Sequence, residues 1–281
     1  MSRVWFITGC STGFGRLLAE QLHAAGDRVV ATARSVQSLH DLGVDDEERI
    51  LRLPLDVRDG TTIQDAVATT LERFGAIDVL VNNAGYGYFA TQEEGELEQI
   101  RLMFETNVFG LIATTQAIVP HMRRRRSGTI VNLSSIAGKI TTPRGGFYQA
   151  SKWAVEALSE SLYLEESGFG LRVVIIEPGS YDTDFGPRSS RVAAVETSGT
   201  SEFAELRERW RANATARLFA QRQDPAEVVA VIREAVDSDV PFVRLPVGRD
   251  ATVVIARRHE MGDADFVEWI RGVYYGDSDG D

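Results

Sequence analysis

Cysteine is almost absent from this 281-residue chain, where Cys10 stands alone. One thiol excludes an internal disulfide and a thiolate metal cluster, and it suits the reducing cytoplasm, where we expect the protein to reside. Histidine is scarce as well. His23, His40, His121 and His259 are scattered without ligand spacing, so no metal is expected. Basic charge is not in excess; the net charge of −11 argues against general affinity for nucleic acid or an anionic membrane. No uninterrupted apolar run approaches the length of a membrane span. The run "VWFITG" near Met1 is too short for a secretory core and gives way at once to glycines. What is present is an ordinary globular mixture, 43% hydrophobic and 25% charged, long enough for one large α/β domain.

Short apolar, β-branched runs alternate with longer amphipathic ones. Strand patterns fall at Val4–Thr8, Arg28–Ala33, Ile50–Leu55, Val79–Asn82, Thr129–Leu133 and Arg172–Ile176. Helical patterns include Gly15–Ala25, Thr61–Phe74, Leu97–Arg123 and Tyr148–Glu166. Strands that are apolar throughout belong to parallel sheets covered on both faces. The alternation therefore predicts a doubly wound, Rossmann-type α/β sheet in a single domain over residues 1–281. Ligands of such sheets bind at the carboxyl ends of the strands.

Residues 184–223 lack strand signals and read as a substrate-binding loop or lid that includes a charged helical piece, "EFAELRERW". Asp224-Pro225 reads as the start of a helix over Ala226–Val236, and "PFVRLPV" as an edge strand. The aromatic helix over Asp265–Tyr275 packs on the domain, covers the substrate site or meets another subunit. Residues 276–281 read as a disordered tail. The basic run "HMRRRRSG" ends a long helix, where arginines complement the dipole and remain solvated.

The stretch "ITGCSTGFG" follows the first strand and opens the first helix. Gly9 permits the tight turn, while Gly13 and Gly15 let backbone approach a ligand and helix pack on sheet. Unpaired N–H groups and the helix dipole there favour a pyrophosphate. The second strand ends in Ala33 and Arg34, where an NAD site usually offers a carboxylate. A guanidinium suits a 2′-phosphate instead, so NADP(H) is favoured over NAD(H). Asp56 ends the third strand and either accepts from an adenine amino group, which we favour, or caps the next helix; Asp59 is the better placed cap. "NNAG" ends the fourth strand, where Ala84 and Gly85 leave room for a ribose and the asparagines can brace neighbouring loops.

"IVNLSSIAG" places Ser134 and Ser135 at the carboxyl edge of the fifth strand. Tyr148 follows thirteen residues after Ser135, and Lys152 four further on, so the last two share a helix face. A free tyrosine titrates near ~10, and a nearby ammonium together with an oxidised nicotinamide would stabilise its phenolate.

Thr8–Gly15, "NNAG", Asn107, Ser135, "YQASK" and "EPGSYDT", in this order, resemble the short-chain dehydrogenase/reductase family over Arg3 to about Thr183. The resemblance implies that Tyr148 is the general acid or base and that Ser135 polarises the substrate oxygen. Lys152 would bind the nicotinamide ribose and lower the tyrosine pKa, and Asn107 would hold a water linking Lys152 to solvent. It implies a dinucleotide site made from Gly9, Ser11, Thr12, Gly13, Phe14, Gly15, Arg34, Asp56, Val57, Asn83, Ala84, Gly85, Tyr148 and Lys152. Pro178, Gly179, Tyr181 and Thr183 would complete it at the nicotinamide carboxamide. Family members often carry an aliphatic residue where this chain has Tyr181. The implied activity is hydride transfer between nicotinamide and a small ketone, aldehyde or secondary alcohol, in a homo-oligomer (dimer or tetramer) paired through its two long helices. The alternatives are a dinucleotide-binding regulatory protein without turnover and an epimerase of the same fold.

Overall fold

The computed structural model describes residues 2–44, 46–181, 190–219 and 223–276. Seven parallel strands form one sheet: β1 (Val4–Ile7), β2 (Arg28–Ala33), β3 (Ile50–Pro54), β4 (Val79–Asn82), β6 (Gly128–Leu133), β7 (Leu171–Pro178) and β9 (Phe242–Val247). A separate two-stranded parallel sheet joins β5 (Gly87–Phe89) to β8 (Ser190–Val192). The large sheet runs β3-β2-β1-β4-β6-β7-β9, so the strand order reverses between β1 and β4. The proline-bearing β9 is its last strand, as the prolines require.

Alternation along β1 shows how both faces are filled. Trp5 and Ile7 enter a core shared with α1 (Gly13–Ala24) and α8 (Ala226–Asp237), through Leu18, Leu22, Val228 and Ile232. Val4 and Phe6 enter the opposite core, with Ile63 and Val67 of α2 (Gly60–Phe74) and Ile118 and Met122 of α4 (Gly110–Arg125). Every residue of β1 and β4 is buried, which explains an apolar pattern interrupted only by Asn82 at the end of β4.

The long helix expected over Leu97–Arg123 is interrupted. It comprises α3 (Leu97–Phe104), a π-helical turn (Glu105–Phe109) and α4. Leu97–Arg125 has the length and apolar composition of a membrane span; in this fold Ile118, Val119 and Met122 on it pack in the second core. Arg124, Arg125 and Arg126 at its end are exposed, as expected, and two of the four arginines are also held in ion pairs. Arg123 pairs with Glu166, and Arg125 with Asp78 at 2.8 Å.

The stretch expected as a loop over 184–223 contains, among its described residues, β8, α6 (Ala194–Ser198) and α7 (Ala204–Arg217). With α5 (Gly146–Glu166) completing the sheet cover, α9 (Arg249–Glu260) and α10 (Asp263–Tyr275) close the chain's described part. Trp210 of α7, Val254 of α9 and Phe266 and Ile270 of α10 share one cluster with Ile136 and Ile140, which follow β6. The aromatic helix therefore packs on the domain beside the residues after Ser135. Most of the expected tail lies outside the described residues.

Candidate active site

A cleft of about 460 Å³ opens at the carboxyl ends of β1 and β4, where the strand order reverses. Gly9 and Gly13, with φ of +76° and +62°, turn the chain out of β1 in the left-handed region that favours glycine. A Cβ on Gly13 would meet nothing within 4 Å, whereas one on Gly9 would press to 3.0 Å from Ala84 Cα. Thr12 stands at the N-terminus of α1 without a side-chain capping bond, which leaves first-turn N–H groups for an anion. Ser11, Thr12, Gly13 and Phe14 all line the cleft. Gly15 does not line it. A Cβ there would strike the Asn83 side chain and come 2.6 Å from the Gly9 carbonyl, so this glycine allows close packing. Asn83 Nδ2 donates to the carbonyls of Thr8 (2.8 Å) and Gly9 (2.9 Å), fastening the β4 end to the glycine loop.

At one end of the cleft lie Ala33, Arg34, Asp56 and Val57. Arg34 is exposed and makes no ion pair among the described residues. Asp56 does not cap α2; Asp59 does, accepting from Thr61 N at 2.9 Å. The Asp56 carboxylate instead accepts from Arg58 through its backbone N (3.0 Å), Nε (3.0 Å) and Nη2 (2.6 Å), which holds the acid below its usual range.

The other end carries Ser135, Tyr148 and Lys152. Ser135 begins a short 3-10 turn over Ile136–Gly138; its Oγ accepts from Ala137 N at 3.1 Å and donates to the Pro178 carbonyl at 3.4 Å. Tyr148 on α5 is buried, and burial pushes its phenol up to about 12 against the opposing hydrogen bond with Ser135. Lys152, one turn on, places Nζ 5.8 Å from the Tyr148 ring centroid and donates to the Leu133 carbonyl at 2.7 Å. Burial lowers this ammonium to about 8, with Glu156 opposing. In the free cleft, desolvation thus outweighs the hydrogen bond with Ser135, and the expected lowering belongs to the site with an oxidised nicotinamide beside Lys152.

Asn107 is buried in the π turn, outside the cleft wall. Its Oδ1 accepts from Tyr86 N (3.0 Å), and its Nδ2 donates to Tyr86 O (2.8 Å) and Ser151 Oγ (3.1 Å). A Cβ on Gly85 would press to 3.1 Å from Asn107 Oδ1, so glycine is what leaves room for this amide, with Lys152 Nζ also near, at 3.8 Å from that point. Pro178, Gly179 and Tyr181 line the cleft beside Ser135, and Thr183 lies outside the described residues. The Tyr181 hydroxyl donates to Glu227 at 2.8 Å, and its ring meets Phe14 edge-on at 5.6 Å.

The sequence pattern described as "short chain dehydrogenase" matches residues 3–192, more than half of the chain. The protein belongs to the short-chain dehydrogenase family. It is 32% identical over 270 residues to Oxidoreductase BOA17 of Botryotinia fuckeliana, covering 96% of this chain and 97% of that protein. The crystal structure of a short-chain dehydrogenase from Streptomyces avermitilis superposes with a TM-score of 0.84 at 37% identity, covering 96% of both chains. An alcohol dehydrogenase from the archaeon Thermococcus sibiricus, complexed with 5-hydroxy-NADP, superposes at 0.69 with 28% identity, over 87% of this chain and 96% of that one.

In this short-chain dehydrogenase the cleft also contains residues that the sequence reading passed over. Arg58 was hidden in the Asp56 motif, although its spacing from Asp56 suits a local ion pair. Tyr86 directly follows "NNAG" and carries the Arg191 guanidinium 5.0 Å from its ring centroid. Arg191 comes from β8, whose pairing with β5 is a long-range contact without a local sequence signal.

Proposed function

We propose that the protein is an NADP(H)-dependent oxidoreductase that interconverts a small ketone or aldehyde with its alcohol. The observation that carries this reading is the hydrogen-bonded Ser135–Tyr148 pair with Lys152 one turn behind it, all in one cleft with the glycine loop. The cleft fits a dinucleotide: the α1 N-terminus suits the pyrophosphate, and Arg34, exposed and without an ion pair among the described residues, suits a 2′-phosphate. The NADP analogue on the Thermococcus sibiricus relative supports the same preference. When bound, the nicotinamide supplies or accepts the hydride.

The chain's own residues handle the proton. Ser135 orients and polarises the substrate oxygen. Tyr148, protonated in the free cleft, gives its proton to that oxygen as the carbonyl becomes an alcohol, and takes one back in the reverse direction. Lys152 stabilises the phenolate that results. Asn107 fastens the Tyr86 backbone beside Gly85 and, in this reading, supports a water leading from Lys152 to solvent. The same reading makes the protein a cytoplasmic homo-oligomer joined through α4 and α5, with exposed Trp153 and Leu164 among the apolar residues available to cover.

Following NADPH oxidation across a panel of ketones and aldehydes tests this reading. Consumption that disappears in Tyr148→Phe is expected, with the alcohol as product. Tight NADPH binding without consumption on any member would point to a binding protein, and a product of unchanged oxidation level to an epimerase.

A further inference from the structure

Behind the active site lies a second polar cluster that the reaction as described does not use. Glu177, near the end of β7, and Glu156, one turn beyond Lys152 on α5, are both buried. The two carboxyls approach within hydrogen-bonding reach, which two ionised groups in a dry interior do not sustain. Three polar atoms here make no hydrogen bond: Glu156 Oε1, Glu177 Oε1 and Ser134 Oγ. Ser134 is only 5% exposed. A Cβ on Gly138 would come 2.6 Å from Ser134 Oγ and 3.1 Å from Glu156 Oε1, so serine and acid border one point that the glycine keeps open.

The surroundings decide where charge resides. Arg244 of β9 donates through Nε to Glu156 Oε2 at 2.9 Å and through Nη2 to Glu160 at 2.5 Å. Lys139, after β6, and Lys152 are the other cations facing the pair. The Arg244 guanidinium faces Glu156 rather than Glu177, and the Glu177 carboxyl is raised first by burial and then by Glu156.

We propose that Glu156 and Glu177 share a single proton in a site closed by Ser134, and that this proton sets the charge felt by Lys152. Below the neutral range the pair carries one negative charge, and loss of the proton to solvent on passing through it adds a second. Glu156 shares a helix face with Lys152, so the second charge strengthens the hold on the ammonium as the solution turns alkaline. Glu156 and Glu177 are positioning residues; neither lines the cleft. Their effect on turnover rests on the role proposed above for Lys152, whereas the shared proton does not.

Carbon-13 NMR of glutamate-labelled wild-type protein, titrated without cofactor, reads the proton directly. One carboxyl titrating in the neutral range, well above the ~4.3 of an ordinary glutamate, is expected, and its signal should vanish in Glu177→Gln. If all carboxyls titrate in the ordinary acidic range, the shared proton does not exist, whatever the enzyme's activity. In Glu177→Gln the alkaline limb of kcat should move down by about 1 pH unit, with NADPH affinity at pH 6 unchanged. An unmoved limb beside a confirmed neutral-range carboxyl would refute the coupling to Lys152. Absence of turnover in both proteins would instead refute the oxidoreductase reading, and nitrogen-15 titration of Lys152 Nζ in each would then decide the coupling.

Discussion

Lys152 Nζ stands 5.8 Å from the centroid of the Tyr148 ring, and Glu156 stands one turn further along the same helix. The three ionisable groups at successive turns are all buried, so each changes the energy of its neighbour's charge. The tyrosine is the member that exchanges a proton with substrate. Phenylalanine keeps its ring, which packs 5.5 Å from the Phe89 ring, and removes only the hydroxyl. Tyr148→Phe should therefore lower kcat by about 10²–10⁴-fold. The dissociation constant for NADPH, measured by fluorescence titration, should stay within a few-fold of wild type.

Lys152 gives a stability prediction with a definite sign. Its ammonium releases a proton at about 8 in the folded chain, against 10.5 for an ordinary lysine. Between those values the unfolded chain binds more protons, so folding stability from this group rises with pH and is at its lowest below 8. The penalty is about 3 kcal/mol at neutral pH, since each pKa unit is worth about 1.4. Lys152→Met removes it but strips the Leu133 carbonyl of its partner, a loss of about 1 kcal/mol. The variant should be more stable than wild type by about 2 kcal/mol at pH 7 and should lose that advantage by pH 10.5. Urea unfolding at both pH values checks this, and turnover should be lost throughout.

The strands, the glycine loop and the Ser135, Tyr148 and Lys152 positions were legible because each rests on local pattern. Apolar runs announce buried parallel strands, and spacing of four places two side chains on one helix face. Three features were not legible for the opposite reason. The π turn at Glu105–Phe109 adds a residue to a helical turn whose periodicity reads as ordinary α-helix. Strand β8 exists through its pairing with β5, about a hundred residues away in the chain. The raised Tyr148 phenol reflects burial in the assembled cleft, which cannot be counted from "YQASK". The close packing at Gly15 was legible, but its neighbour, Asn83 on another strand end, was not.

Arg34 carries the cofactor preference. It lines the cleft without an ion pair among the described residues, while Arg58 is occupied by Asp56 at 2.6 Å. Arg34→Ala should weaken NADPH binding by about 10–100-fold, the loss of one charge-assisted contact of about 1.5–3 kcal/mol, and leave NADH nearly unchanged. Calorimetric titration with both nucleotides measures the ratio. Equal weakening for the two would place Arg34 away from the 2′-phosphate.

An ionic network fixes the chain after β8 to the approach of the Tyr148 helix. Arg144 precedes Tyr148 by four residues and holds Glu196 of α6 through Nε at 3.1 Å and Nη2 at 2.6 Å. Arg207 of α7 lies 3.8 Å from the same carboxylate and 3.9 Å from Glu94, and all three partners are mostly buried. Arg144 also takes a φ of 65°, a left-handed conformation that costs any residue with a Cβ and persists where surrounding contacts hold it. Glu196→Gln removes the charge that holds it and leaves two guanidiniums facing each other, which should cost about 1–3 kcal/mol. Because the network anchors the backbone leading into Tyr148, the loss should appear in turnover as well as in the melt. A partly restored melting temperature in the double variant Arg144→Gly, Glu196→Gln is expected, since glycine accepts the left-handed backbone without a partner. If the double variant melts at the sum of the two single losses, the strain at Arg144 is not held by Glu196.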